Sequence, residues 1–146
     1  MISLVELQYD HVVGVNRSVI LRGNTDFGLK EIHGVRNEPG LRGTLGGIFY
    51  QDLQHGYLNI PIEKMAGLML YRISEGQFFI NGNKRTALIS TKYFLGNNGY
   101  GISYKEHEMS DLLWGFAKPI GSPGSAAKYS EADSVSFVSA RIYPLS

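Results

Sequence analysis

The chain has 146 residues, 43% of them apolar and 18% charged, with 14 basic against 13 acidic side chains and a net charge of +1. That is enough apolar material for a packed core and too much for a disordered chain, and the near-zero balance points away from nucleic acid and from an acidic membrane surface as partners. There is no cysteine, which excludes disulfides and thiolate metal sites and fits a cytoplasmic setting. The length suits a single domain over residues 1–146. The opening "MISLVELQYDH" lacks the cationic start and apolar run of a signal peptide. The longest apolar run, "AGLMLY", is too short to span a bilayer.

Ser3 followed by Glu6 has the spacing of a capping box and predicts a first helix that runs to about Arg17. Residues 22–58 mix Gly, Asn and Pro with short apolar pieces. Many of the glycines fall between Gly34 and Gly56, so this region is expected to be looped rather than helical. Within it "RNEPGLRG" reads as a turn, Pro39 presetting one dihedral and Gly40 permitting the next. "GGIFYQDLQHGYL" reads as a short strand pair or a short helix.

"NIPIEKMAGLMLYRISEG" carries the clearest helical pattern. Asn59 suits the cap, Pro61 suits the first turn, and Gly76 suits the end. Ile62, Met65, Ala66, Met69 and Ile73 recur on one face. "NKRTALISTKYFLGNNG" is the next helix, with Ala87, Leu88, Ile89, Tyr93, Phe94 and Leu95 covering more than half its circumference, as a central helix buried on several sides would require. Asn98 and Gly99 stop it. "SYKEHEMSDLLWGFAKP" repeats the capping-box spacing with Ser103 and Glu106 and predicts a helix to Pro119. "GSPGSAAKYS" is a polar connector, and "EADSVSFVSARIY" a weaker last helix. There are no internal repeats.

The chemistry concentrates at "QFFINGNKRTAL", Gln77 to Leu88, where one apolar helix ends and another begins. A helix start exposes unpaired N–H groups and the positive end of the dipole. Gly82 lets an anion approach that backbone, Asn83 adds an amide, and Lys84 and Arg85 add charge, Arg85 with a fork that can grip phosphate bidentately. The plainer alternative is an ordinary helix start, with Asn83 as its cap and two solvated cations.

"FINGNKRTAL" resembles the core motif of the Fic/Doc family in its shorter, Doc-like branch. The family pattern is His-x-Phe, any residue, an acidic residue, Gly or Ala, then Asn-Lys-Arg-Thr-Ala. Phe79, Gly82, Asn83, Lys84, Arg85, Thr86 and Ala87 match it in register. The flanks match too: an apolar helix before, "YFLGNNGY" after and a Gly-rich stretch upstream, so the similarity covers nearly the whole chain. The resemblance implies a mostly α, compact Fic/Doc-type domain with a short irregular or β-hairpin flap, here Gly43 to His55, that holds a target segment. It implies a transferase moving a phosphoryl or nucleotidyl group from ATP or another nucleotide, with Mg²⁺, to a protein hydroxyl, and an antitoxin-like protein partner. Gly82, Asn83 and Arg85 would hold the phosphates, Lys84 would be tied to phosphoryl transfer, and Phe79 would anchor the loop.

Two positions depart from the pattern. The general-base His is Gln77, whose amide can orient a hydroxyl but cannot take its proton. The Mg²⁺-binding acid is Asn81, a weaker neutral ligand. Glu75 and His55 are the candidate replacements for the base. Each also reads as a solvated side chain. His11 and His107 lie on terminal helices, His33 in a loop, and Glu106 and Glu108 of "EHE" point around their helix rather than to one face. Three functions stay open: an attenuated transferase, a degenerate module that binds a ligand or partner without turnover, and a glycosyl-type transferase on the same fold, as in bacterial effectors that lack the His.

Overall fold

The structure, a computed structural model, describes residues 4–50, 60–117 and 126–146. It is mostly helical, with a small two-stranded antiparallel sheet. Along the described chain the elements are α1 (Tyr9–Phe27), α2 (Glu38–Tyr50), α3 (Ile62–Glu75), α4 (Asn83–Asn97), β1 (Tyr100–Ile102), α5 (Glu106–Gly115), α6 (Glu131–Ser139) and β2 (Ile142–Pro144). No helix among the described residues is long and apolar enough to cross a membrane.

Helix α3 is the hub and packs on α2, α4 and α6. Its predicted face is the buried one: Met65, Ala66, Met69 and Ile73 are each 1% exposed or less. Pro61 takes the N-cap place, and Gly76 closes the helix through its N–H to the Arg72 carbonyl. Asn59, the expected cap, lies outside the described residues. Gly67 marks where α6 crosses α3. A Cβ there would lie 2.5 Å from the Val135 Cα, and the Ser134 hydroxyl donates to the Gly67 carbonyl at 2.7 Å. Backbone cannot yield as a flexible side chain does, so Gly67→Ala is expected to cost about 1–3 kcal/mol, the usual range for overpacking. Thermal melts followed by circular dichroism should show the loss, and an unchanged melting temperature would rule out this close crossing.

Several expectations are corrected. Helix α1 spans Tyr9–Phe27, not Ser3 to Arg17. Ser3 lies outside the described residues, and Gln8 occupies the N-cap without a side-chain bond. The helix continues past Arg17 because Val12, Asn16, Ile20 and Gly23 form one buried stripe. The Gly-rich region is not a loop throughout, since Glu38–Tyr50 is helical. Leu41, Leu45, Ile48 and Phe49 bury at helical spacing, and that burial outweighs the roughly 1 kcal/mol that each interior glycine costs. "RNEPG" is therefore a helix start and not a free turn. The Asn37 side chain accepts from the Gly40 N–H at 3.0 Å, and Pro39 sits in the first turn, where a missing N–H costs nothing. The expected flap is thus helical from Gly43 to Tyr50, and His55 lies outside the described residues.

Helix α4 is central, as expected, but its buried face is more polar than the apolar count suggests. Thr86, Ser90 and Thr91 are buried with Ala87, Phe94 and Leu95, while Ile89 and Tyr93 are about 40% exposed and Leu88 is half-buried. Small side chains on this face let α3 approach closely. The Ser103–Glu106 capping box does not form. Residues 100–102 pair with 142–144 as strands, and Lys105 takes the α5 N-cap without a side-chain bond. The helix ends at Gly115, and Pro119 lies outside the described residues. The box that does form is Ser130–Asp133, at the start of α6.

Candidate functional site

The turn between α3 and α4 is held from three sides. The Gln77–Asn81 segment lies beside 34–37. The Phe78 carbonyl accepts from the Arg36 and Asn37 N–H groups, at 2.6 and 3.1 Å, and the Ile80 N–H donates to the Gly34 carbonyl at 3.1 Å. Val35 and Phe79 form an isolated antiparallel bridge. Phe79 is fully buried. From below, the Asn16 side chain of α1 donates to the Asn81 carbonyl (2.9 Å) and the Thr86 hydroxyl (3.1 Å) and accepts from the Gly34 N–H (3.2 Å). Asn16 is 1% exposed and is the polar member of an otherwise apolar helical stripe. That misplaced polarity is the sequence signal by which it could have been found.

The turn opens into a cleft of about 610 Å³, within the ordinary range for small-molecule sites. Gln77, Asn81, Gly82, Asn83, Lys84 and Arg85 all line it, so the candidate residues other than Phe79 meet on one surface. Gly82 takes the N-cap in left-handed backbone, φ 76°, and no N-cap side chain satisfies the first-turn N–H groups of α4. A Cβ at Gly82 would lie 2.8 Å from the Ile20 Cδ1, so a larger residue there is opposed by both its backbone and its neighbour.

The motif side chains are already engaged, Asn83 within the motif and Arg85 and Lys84 with residues outside it. Asn83 does not reach outward. Its Oδ1 accepts from the Phe79 N–H and its Nδ2 donates to the Phe79 carbonyl, both at 3.0 Å, with a longer 3.4 Å bond to the Gln77 Oε1. Asn83 thus staples the loop, and its amide is committed there. The Arg85 guanidinium pairs with Glu31 at 2.7 Å. Glu31 is fixed in turn by Asn24, which bonds its backbone N–H and carbonyl. The Lys84 ammonium lies 5.0 Å from the centre of the Trp114 ring, a cation–π distance.

Gln77 has φ 53°, and among the described residues no other non-glycine has positive φ. Such a backbone costs about 1–3 kcal/mol and persists only where the surroundings enforce it. Glu75 does not line the cleft. Its Oε1 is buried without a hydrogen-bond partner. Burial raises its carboxyl above the ordinary range, against the pull of the Lys84 charge. His33 and His107 are exposed, and His11 packs edge-on against Tyr93.

The residues at the expected Mg²⁺ position do not fit a tightly held divalent ion. Asn81 offers a neutral oxygen, and its Nδ2 donates to the Ile32 carbonyl. Glu31, the cleft carboxylate near it in the fold, is held by Arg85. No group of three His, Asp or Glu side chains suited to a metal ion forms among the described residues.

The opposite wall of the cleft was not read from the sequence as part of a site. It comes from α5 and the segment before it: Tyr104, Glu106, Met109, Ser110, Leu113 and Trp114. Trp114 is 70% exposed, an unusual placement for so large a ring. A scan of protein-family models and a search of the curated proteins both find no match to this chain.

Proposed function

We propose that the chain is a Doc-like member of the Fic/Doc family whose cleft binds a phosphate-bearing nucleotide with little or no turnover. The observation that carries this reading is the Gly82–Arg85 turn, an uncapped helix start beside two cations at one end of a cleft with an aromatic wall. Against turnover stand the neutral amides at Gln77 and Asn81. Glu75, the nearest carboxylate in sequence, lies outside the cleft lining. The remaining cleft carboxylates, Glu31 and Glu106, come from other elements, and Glu31 is ion-paired.

Titration calorimetry with ATP, ADP and pyrophosphate, with and without Mg²⁺, tests the reading. Arg85→Ala is expected to weaken anion binding by about 1.5–3 kcal/mol, the scale of a hydrogen bond to a charged group, and it also leaves Glu31 unpaired. Lys84→Ala should weaken it less, since Lys supplies a mobile point charge and not a fixed fork. Glu31→Gln should tighten it by freeing the guanidinium. If no anion binds, or if Arg85→Ala binds like wild type, the turn is only a helix start.

A second reading, slow phosphoryl or nucleotidyl transfer to a protein hydroxyl, is favoured by one observation. Gln77 is kept in strained backbone on the cleft surface, where the family's base would stand.

A further inference from the structure

Helices α4 and α5 both line the cleft and run in opposite directions along it. Lys84, at the start of α4, meets Trp114 near the end of α5, and the Lys92 ammonium lies 3.4 Å from the Tyr104 hydroxyl at the opposite end. On α5, Glu106, Met109, Ser110, Leu113 and Trp114 are spaced three and four apart and so share one face. That face runs roughly 12 Å along the axis from Glu106 to Trp114, at 1.5 Å per residue. The cleft therefore has a polarity. Its Trp114 end holds the cationic Lys84, Leu88, Met109 and Leu113 supply apolar lining, and Glu106 stands at the opposite end of the α5 face.

A nucleotide has the same polarity: phosphate at one end, a flat ring in the middle, and the hydrogen-bonding edge of the base at the other. We infer that the cleft selects guanine nucleotides and that Glu106 is the residue that reads the base. This rests on the nucleotide-binding reading above.

The choice of base follows from what a carboxylate can do. When ionised it only accepts hydrogen bonds. Guanine presents two adjacent donors, N1–H and the N2 amine, which match its two oxygens in a bidentate, charge-assisted pair. Adenine sets its ring acceptor N1 beside its amine, and uracil flanks its single N–H with two carbonyls. Either would place lone pairs against the carboxylate. Of the acidic residues on α5, Glu108 is held by Arg141 at 2.6 Å, and Asp111 by Lys128 and the Tyr129 hydroxyl at 2.9 and 2.6 Å. Glu106 has no such partner among the described residues, and it is the acidic residue of α5 that lines the cleft.

The test is calorimetry on the full chain with GMP, IMP, AMP and inorganic pyrophosphate. GMP should bind at least about tenfold tighter than AMP, with IMP, which lacks the N2 amine, between them. Glu106→Gln should bring GMP and AMP to within roughly threefold and leave pyrophosphate unchanged. GMP and AMP binding within about twofold of each other in the wild type, or a preference that Glu106→Gln leaves intact, overturns the inference. Pyrophosphate binding without base preference sinks the guanine assignment alone. If neither pyrophosphate nor any nucleotide binds, the nucleotide-binding reading falls with it.

Discussion

Phe79→Ala is expected to cost about 3–5 kcal/mol, the range for removing a large buried ring. Phe79 is fully enclosed in the core cluster. Its backbone is also gripped at both polar atoms by Asn83, so ring and main chain hold the same residue from opposite directions. A domain of this size has about 5–15 kcal/mol in hand, so the variant should be close to unfolding in mild urea. Each kcal/mol corresponds to about 2–4 °C in melting temperature, so thermal melts should shift by roughly 6–20 °C. Phe79→Leu, which keeps most of the volume, should cost much less. If Phe79→Ala costs under about 1 kcal/mol, the ring is not enclosed and the loop is not anchored from beneath.

The parts of the fold that were legible are those in which local pattern and tertiary burial agree. Helix α3 shows its buried face in the spacing of Met65, Ala66, Met69 and Ile73, and the α3–α4 turn shows itself in Gly82 followed by polar and cationic residues. Helix α2 was legible only at its end, where a short helix was one of two readings for the stretch from Gly46. Its glycines argue locally for a loop, and only the core formed with α3 makes Leu41, Leu45, Ile48 and Phe49 worth burying as a helix. The strands β1 and β2 are three residues each, too short for alternation to register, and they exist only as a pair joined across some forty residues. In the cleft, the motif residues were readable because they are consecutive. Their controlling partners were not. Glu31 reaches Arg85 from 54 positions away, and Asn16 reaches Asn81 from 65. Helix α5 was expected from the Ser103–Glu106 spacing, but nothing local says that Trp114 faces Lys84 rather than the core.

Gln77→His is expected to raise group transfer by about 10²–10⁴, the usual worth of a positioned general base. The imidazole would take the proton from an acceptor hydroxyl as that oxygen attacks the γ-phosphorus and the nucleoside diphosphate leaves, or attacks the α-phosphorus and pyrophosphate leaves, and its ordinary pKa suits the task near neutral pH. The backbone favours the substitution. Gln77 sits at φ 53°, and His is several-fold enriched among the few non-glycine residues that adopt that region, so the variant should fold at least as stably as wild type. Among the described residues, the weak 3.4 Å bond from Asn83 is the side-chain hydrogen bond it gives up, and Asn83 keeps its two bonds to Phe79. Adding Asn81→Asp should raise the rate further when Mg²⁺ is supplied, because it puts a carboxylate where the neutral amide stands. The Asn81 carbonyl, which Asn16 holds, belongs to the backbone and survives the change. The measurement is label transfer from ATP and GTP, labelled at the α or γ position, to the chain itself and to added proteins, with melting temperatures run in parallel. A γ-label on the product means phosphoryl transfer and an α-label means nucleotidyl transfer. If both variants fold, bind nucleotide and still transfer nothing, the attenuated-transferase reading fails, and the cleft is a site for holding a nucleotide.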